Sequence, residues 1–339
     1  MTTTAKQRPV LSTTAGAGHA RIWGLGAYRP ERVVTNDEIC ENIDSSDQWI
    51  RERTGIITRR RAAPAETVVD MASAAALEAL KAAGVTPAQV DVVILATVSH
   101  PYQTPAAAPM VADRIGATPA AAFDISAACA GYCHGISVAN DMVRGGSARF
   151  VLVIGVEKLS DFTDPTDRGS AFIFGDGAGA AVVGASDFPG ISPTVWGSDG
   201  AKWEIISQRN SWNEVREQHV DWPAITMQGQ SVFRWAVYSM APIAQAALDR
   251  AGIKADDLDA FIPHQANMRI IDALIKQLKL PEHIAIARDI ADTGNTSAAS
   301  IPLATQHMLD SGQAPHGGLA LQIAFGAGLV YAAQVIVLP

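Results

Sequence analysis

The sequence predicts an α/β protein of layered sheets around buried central helices, and two observations carry that prediction. Helix-then-strand units alternate through the chain, and the chain repeats itself at a nearly constant offset. Residues 71–85 read as an amphipathic helix stopped by Gly84, then a short polar stretch, Asp91 and the apolar strand 92–96. Residues 239–253 read the same way, stopped by Gly252 and followed by Asp259 and the strand 260–262. The glycines (252 − 84) and the aspartates (259 − 91) are both 168 positions apart, and strand 151–155 falls opposite 319–323 at the same offset. Between these strands, the helix starting near Cys129 falls opposite the one starting near Asn295, two positions short of that register. The division that follows is a flexible lead-in (1–19), a first half (20–186) carrying Cys129 and a second half (187–339) carrying His264 and Asn295. A catalytic centre would sit at the junction, where equivalent helix and strand ends from both halves converge.

Composition narrows the class. A chain of 339 residues, 48% apolar and 18% charged, buries a large core and reads as a globular enzyme. A net charge of −8 argues against broad nucleic-acid binding. Three cysteines (Cys40, Cys129, Cys133) make no disulfide framework and suit a reducing cytoplasm. The lead-in is rich in Thr, Ala and Gly without an apolar centre, so it is no secretory signal. The uncharged run 319–339 is about long enough to span a bilayer. Gly326 and Gly328 interrupt it and its second half is strand-like, so two buried strands joined by a glycine turn are expected rather than a membrane helix.

Three segments carry chemistry. Cys129 sits in Ser126-Ala-Ala-Cys-Ala-Gly131, small residues at an expected helix start, with Asp124 upstream. A helix N-terminus lowers a thiol pKa and small neighbours admit a substrate; the alternative is an inert cysteine on a tightly packed helix. His264, in Pro263-His-Gln-Ala-Asn267, follows a buried strand, and ligand sites in α/β sheets lie beyond the carboxyl ends of strands. Asn295, in Thr293-Gly-Asn-Thr-Ser-Ala-Ala-Ser300, either caps a helix or turns its amide toward an oxyanion. Gly175-Asp-Gly-Ala-Gly-Ala180 mimics a dinucleotide fingerprint, but a short strand follows it rather than a helix, so a tight glycine turn within a sheet is expected. Cys133 forms neither a CxxC pair nor part of a metal set with Cys129. Two basic features remain. Trp49, Arg51 and Arg53 with Arg59-Arg-Arg61 join an aromatic plate to cations, and Arg269, Lys276 and Lys279 share one helix face, diluted by Asp272. Each is a solvated face or a partner site.

Taken together and in order, Ala127-Ala-Cys-Ala-Gly131, Asp164-Pro-Thr-Asp-Arg-Gly169, Phe174-Gly-Asp-Gly-Ala-Gly179, Pro263-His-Gln-Ala-Asn267, Gly294-Asn-Thr-Ser-Ala-Ala-Ser300 and Phe325-Gly-Ala-Gly328 resemble β-ketoacyl-acyl carrier protein synthase III. These are the initiating condensing enzymes of bacterial type II fatty acid synthesis and of some polyketide pathways. The match runs from about Arg21 to the C-terminus. The resemblance implies a thiolase-type five-layered αβαβα fold of two duplicated halves, in a homodimer. It implies Cys129, His264 and Asn295 as catalytic residues, with backbone N–H groups of Cys129 and Ala327 as oxyanion donors. Trp49, Arg53, Arg168 and Asn267 would hold coenzyme A, Arg269, Lys276 and Lys279 would dock the acidic carrier protein, and Thr104, Phe174 and Phe325 would shape the acyl pocket. The partners implied are acyl-CoA, as a substrate, and malonyl-acyl carrier protein, with no cofactor, metal, nucleic acid or membrane.

Two departures from the family pattern matter. Ala327 stands between two glycines where three glycines are common, which is harmless if its dihedral suits alanine. Thr104 stands where acetyl-selective relatives carry a Phe that reaches across the dimer, which implies a roomier pocket for branched or longer starters. A family member that passes its acyl group to an alcohol or amine without decarboxylation is the alternative, although such relatives lose part of the His/Asn arrangement. A non-catalytic binding subunit would lack Cys129.

Overall fold

Two five-stranded sheets stack with helices between and outside them, and the computed structural model describes residues 11–220 and 222–339. The first sheet holds β1 (His19–Tyr28), β2 (Val92–Ala96), β3 (Ala121–Ile125), β4 (Phe150–Glu157) and β5 (Gly177–Ser186), in the order β1-β5-β4-β2-β3. The second holds β6 (Val195–Gly197), β7 (Ala260–Pro263), β8 (Ala285–Ile286), β9 (Leu319–Gly326) and β10 (Val330–Val337), in the order β6-β10-β9-β7-β8. The second order is the first advanced by five. Directions match too: β4, β2 and β3 run parallel, as do β9, β7 and β8, while the remaining pairings are antiparallel.

α1 (Asp47–Thr54) stands apart from the layers, packed near the second half. α2 (Val68–Ala83) and α3 (Ala107–Ile115) cover the outer face of the first sheet. α4 (Gly131–Gly145) lies between the sheets, α5 (Gly229–Ala251) and α6 (Met268–Leu278) cover the outer side of the second, and α7 (Ser300–Asp310) joins α4 in the middle. These are the five layers of the expected αβαβα body. The run Val92-Val-Ile-Leu-Ala96 shows why the strands are apolar on both faces. Val92 and Ile94 join the central core, while Val93 and Leu95 join the outer core under α2 and α3. α2 presents Ala72, Ala75, Ala76 and Ala79, all fully buried, and lies so close to β1 that a Cβ on Gly26 would sit 2.2 Å from the Ala75 carbonyl oxygen. Each outer helix ends where the repeat puts it, at Gly84 (φ 65°) and Gly252 (φ 72°), in the left-handed cap conformation.

Several expectations need correction. α5 begins at Gly229, ten residues before the sequence-based start, and passes through Pro242, because Val232, Ala236, Met240 and Ala244 keep one buried face throughout. Gly177 and Gly179 lie inside β5, not in a turn. They leave room for α7, since a Cβ on Gly179 would stand 2.7 Å from Pro302 Cβ. The central helices are also not in the register first assigned. Both are preceded by a 3₁₀ turn whose first residue is a non-glycine with positive φ, Ala128 (φ 43°) and Ser297 (φ 48°), 169 positions apart (297 − 128). Cys129 is therefore the counterpart of Ala298, and Asn295 falls just ahead of the second turn.

β9 and β10 form the expected hairpin, and among the described residues no helix is long and apolar enough to cross a membrane. The first ten residues of the lead-in lie outside the described residues. Ala17 already bonds the Val143 carbonyl (3.2 Å), and His19 is the first residue of β1.

Candidate active site

The two 3₁₀ turns meet between the sheets, beside the carboxyl ends of β2, β4, β7 and β9. Past β3 the chain reverses at Ala128, whose left-handed backbone costs about 1–2 kcal/mol, and turns Cys129 to face a cavity instead of entering α4 directly. Gly326 makes the approach possible from the other side: a Cβ there would lie 2.7 Å from Cys129 N and 3.2 Å from its Sγ. Asp124, upstream of Cys129, serves the neighbouring helix. Its two oxygens accept from Ala107 N–H (2.8 Å) and Ala108 N–H (2.7 Å), capping α3, whose own cap residue Ala106 has no side chain to do so.

His264 follows β7 immediately and is buried. Its Nδ1 lies 2.7 Å from Ser300 Oγ, and the Gln265 N–H points at the same oxygen from 3.4 Å. The Ser300 hydroxyl can donate to Nδ1 while it accepts from that backbone N–H, and in that arrangement the ring proton is on Nε2. Burial pushes the His264 pKa down to about 3, so the ring is neutral at any working pH and can donate from Nε2. Phe325 packs edge-on against it, 5.4 Å between centroids. Asn295 is not the helix cap, since Thr296 and Ala299 stand at the cap positions of the turn and of α7. Its Oδ1 accepts from Ser297 N–H (2.8 Å), so it holds the second turn, and that bond fixes which end of the amide remains free: Nδ2, a donor.

Cys129, His264, Asn295, Ser297 and Ala327 line one cavity of about 290 Å³, whose remaining walls are mainly apolar, among them Val98, Leu159, Phe174, Ile206, Ile225, Met227 and Phe325. Ala327 is accommodated without strain: the positive φ values of its turn fall on Gly328 (74°) and Leu329 (47°). The Cys129 thiol is not depressed as the helix-start argument expects. Burial pushes it up to about 12; the nearby Ser297 hydroxyl pulls the other way, and the nearby Glu157 charge pushes it further up. Desolvation of a thiolate in an apolar cavity outweighs a helix that properly begins at Gly131.

Of the residues that the resemblance assigns to coenzyme A and the carrier protein, Asn267 lines this cavity and the other six do not. Arg53 stacks its guanidinium over Trp49 at 5.8 Å, and Trp49 meets Phe172 edge-on at 5.5 Å. Asn267 lines the cavity, caps α6 by accepting from Arg269 N–H (2.9 Å) and donates to the Arg53 carbonyl (3.0 Å), which ties α1 to the start of α6. Arg168 is exposed, 4.0 Å from Asp44. Arg269 and Lys276 are exposed on α6, with Arg269 over Phe233 at 5.1 Å. Lys279 is exposed but ends the helix in a left-handed cap (φ 52°) instead of continuing its face. Asp272 does not simply dilute the patch, because it pairs with Arg288 at 2.8 Å. Arg59 is no surface cation: it is fully buried, donating to Asn36 Oδ1 (2.6 Å) and to the carbonyls of Phe172 and Val34. Thr104 is exposed on the loop between β2 and α3 and does not line the cavity of its own chain. Sequence reasoning gave no role to Ser297, Ser300 or Glu157. The first two stood inside a motif already singled out, and Glu157 stands at the carboxyl end of a strand, where sites gather.

Residues 123–200 match the family described as 3-oxoacyl-[acyl-carrier-protein] synthase III, and residues 248–338 match its C-terminal domain. The β-ketoacyl-[acyl-carrier-protein] synthase III 1 of Streptomyces coelicolor is 58% identical over 340 residues, covering 97% of this chain and 99% of that protein. The mycobacterial β-ketoacyl-[acyl-carrier-protein] synthase III of Mycobacterium marinum is 53% identical over 97% of this chain and 98% of its own length. Among solved structures, the priming β-ketosynthase of the R1128 polyketide biosynthetic pathway superposes with a TM-score of 0.95 at 48% identity, covering 98% of this chain and 99% of that one. The 3-oxoacyl-[acyl-carrier-protein] synthase III of Aquifex aeolicus gives 0.87 at 39% identity, over 94% of this chain and 99% of that one. These matches over nearly the whole chain place it: the chain belongs to the β-ketoacyl-[acyl-carrier-protein] synthase III family of acyl-transferring condensing enzymes.

Proposed function

We propose that this enzyme condenses an acyl-CoA starter with malonyl-acyl carrier protein, losing carbon dioxide and giving the β-ketoacyl-carrier protein that begins fatty acid or polyketide synthesis. The observation that carries the reading is the convergence of Cys129, His264 and Asn295 on one cavity. Cys129 sulfur attacks the starter thioester, free CoA departs, and an acyl-enzyme remains. The carbonyl oxygen of that step lies between backbone N–H groups of Cys129 and Ala327. Malonyl-carrier protein then enters. His264 Nε2–H and Asn295 Nδ2–H donate to its thioester carbonyl and stabilise the enolate as carbon dioxide leaves, and the carbanion attacks the acyl-Cys129 carbonyl. A histidine held neutral by burial supports this role, since the step requires a hydrogen-bond donor and no proton transfer to the ring.

Trp49, Arg53, Arg168 and Asn267 hold the coenzyme. The exposed cations Arg269, Lys276 and Lys279 meet the acidic carrier protein, where charge sets the encounter rate more than the affinity. A homodimer is supported by β3, which has a single neighbour in its sheet and an open edge that a second copy can continue. That edge adjoins α3, close in sequence to Thr104, so Thr104 would shape the partner's acyl pocket and leave it roomier than a Phe would. Free thiols at Cys40, Cys129 and Cys133 suit a cytoplasmic enzyme.

The test incubates the enzyme with acetyl-, butyryl- and isobutyryl-CoA and malonyl-carrier protein, and weighs both acyl-enzyme and product by intact mass. Acylation confined to Cys129, a β-ketoacyl product and a preference for the branched or longer starters are expected. Absence of acyl-enzyme overturns the reading of Cys129, and a strong acetyl preference overturns the reading of Thr104.

A further inference from the structure

Glu157 ends β4 fully buried, directly behind the cavity. Four groups donate to its carboxylate: Val98 N–H (3.1 Å), Thr97 Oγ1 (3.2 Å), Ser99 Oγ (2.6 Å) and Ser297 Oγ (3.1 Å). Among the described residues no cation answers it. Lys158, next in the chain, turns its ammonium to the carbonyls of Ala63 and Pro64 and to Asp161. Asp176, a buried acid just before β5, is bound to Ser160 and to Ala62 N–H, and His100 on the loop after β2 makes no hydrogen bond to Glu157. A buried carboxylate without a counter-charge is expensive. This one is connected: Ser297, whose hydroxyl donates to it, lines the same cavity as Cys129.

Building on the reading of Cys129 as the acyl acceptor, we propose that Glu157 is a positioning residue for acylation, holding through Ser297 the proton that Cys129 gives up. As the starter thioester enters, the thiol proton passes to Ser297 Oγ while the Ser297 proton passes to Glu157 Oε1. The sulfur lone pair forms the new S–C bond, the old C–S bond breaks with its electrons on the coenzyme sulfur, and the proton returns from Glu157 through Ser297 to that thiolate. Thiol plus acyl-CoA thus gives acyl-cysteine plus CoA thiol, with Glu157 unchanged at the end. Burial pushes the Glu157 carboxyl up to about 7, the range in which a base at neutral pH works best. The same loss of water that disfavours the thiolate thereby supplies an acceptor for its proton.

The test measures acyl-enzyme formation by rapid quench and intact mass, from pH 5.5 to 9.5, in wild type, Glu157→Gln, Ser297→Ala and the double variant. The wild-type rate is expected to rise through about pH 7 and level off. At pH 7.5 Glu157→Gln should fall by about a hundredfold and keep rising with pH without a plateau. Ser297→Ala should behave alike, and the double variant should be no slower than the worse single. A Glu157→Gln enzyme that keeps the plateau and a rate within about threefold of wild type overturns the proposal. If Glu157→Gln does not fold, as judged by circular dichroism, Ser297→Ala decides by the same two criteria. A wild type that never acylates Cys129 overturns the reading of Cys129 and this proposal with it, whereas normal wild-type acylation with unchanged variants overturns the proposal alone.

Discussion

Ser300→Ala tests whether His264 works as a neutral donor with a fixed proton. The hydroxyl is 2.7 Å from His264 Nδ1 and is the ring's one hydrogen-bond partner among the described residues. Its removal strands Nδ1 in a buried site and releases the preference for a proton on Nε2. A net hydrogen bond contributes about 0.5–1.5 kcal/mol and stranding its partner costs about 1–3 kcal/mol. At 1.36 kcal/mol per factor of ten, condensation should slow by roughly tenfold. Acylation, which does not use the ring, should stay within about twofold. The two steps separate by loading the enzyme with starter first and then adding malonyl-carrier protein, with both transients read by mass. Because the His264 pKa lies near 3, the condensation rate of wild type should show no titration of this ring between pH 5 and 8. Equal losses in both steps, or a wild-type condensation rate that collapses below pH 6.5 with the loaded enzyme intact, would refute the neutral-donor argument.

Three further outcomes follow from particular contacts. Gly326→Ala, with a Cβ 2.7 Å from Cys129 N, should cost about 1–3 kcal/mol in urea unfolding and reduce acylation sharply, while Ala327→Gly should keep near-normal activity, since Ala327 needs no positive φ. The Glu157 carboxyl, raised to about 7 from 4.5, keeps a proton in the folded state that the unfolded chain has lost. Unfolded protein therefore binds fewer protons between those values, and stability falls as pH rises through that window. Glu157→Gln should be progressively more stable than wild type from pH 5 to pH 8 in parallel urea melts, and a constant difference would contradict the raised carboxyl. Arg53→Ala removes the cation over Trp49 and should raise KM for acyl-CoA severalfold with kcat little changed, read from initial rates.

What the sequence disclosed, it disclosed through period and offset. Two buried strands 168 positions apart, each preceded by a glycine-stopped helix, were sufficient for a duplicated layered body, and a histidine directly after one of them was sufficient to place it at a strand end. What stayed hidden depends on three-dimensional surroundings. The register of the central helices is set by left-handed backbone at Ala128 and Ser297, residue types that give no sign of it. The Cys129 thiol answers to desolvation, which a string of small residues does not reveal. Arg59 looks like its neighbours Arg60 and Arg61 in sequence, yet only burial shows that it holds backbone carbonyls together. Likewise Gly177 and Gly179 read as a turn because nothing local announces the helix that lies across them.

The paired turns at Ala128 and Ser297 set a limit on how this scaffold can be re-engineered. Each half has its own sheet, so exchanging halves between relatives to mix starter range with carrier preference looks straightforward. The turn of the second half, however, lines the same cavity as the nucleophile of the first, and its serine bonds the acid at the end of β4. A chimera cut between the sheets would separate parts that act on one sulfur atom. Recombination should therefore carry β4, both turns and the start of both central helices from a single parent, and leave the outer helices as the exchangeable parts.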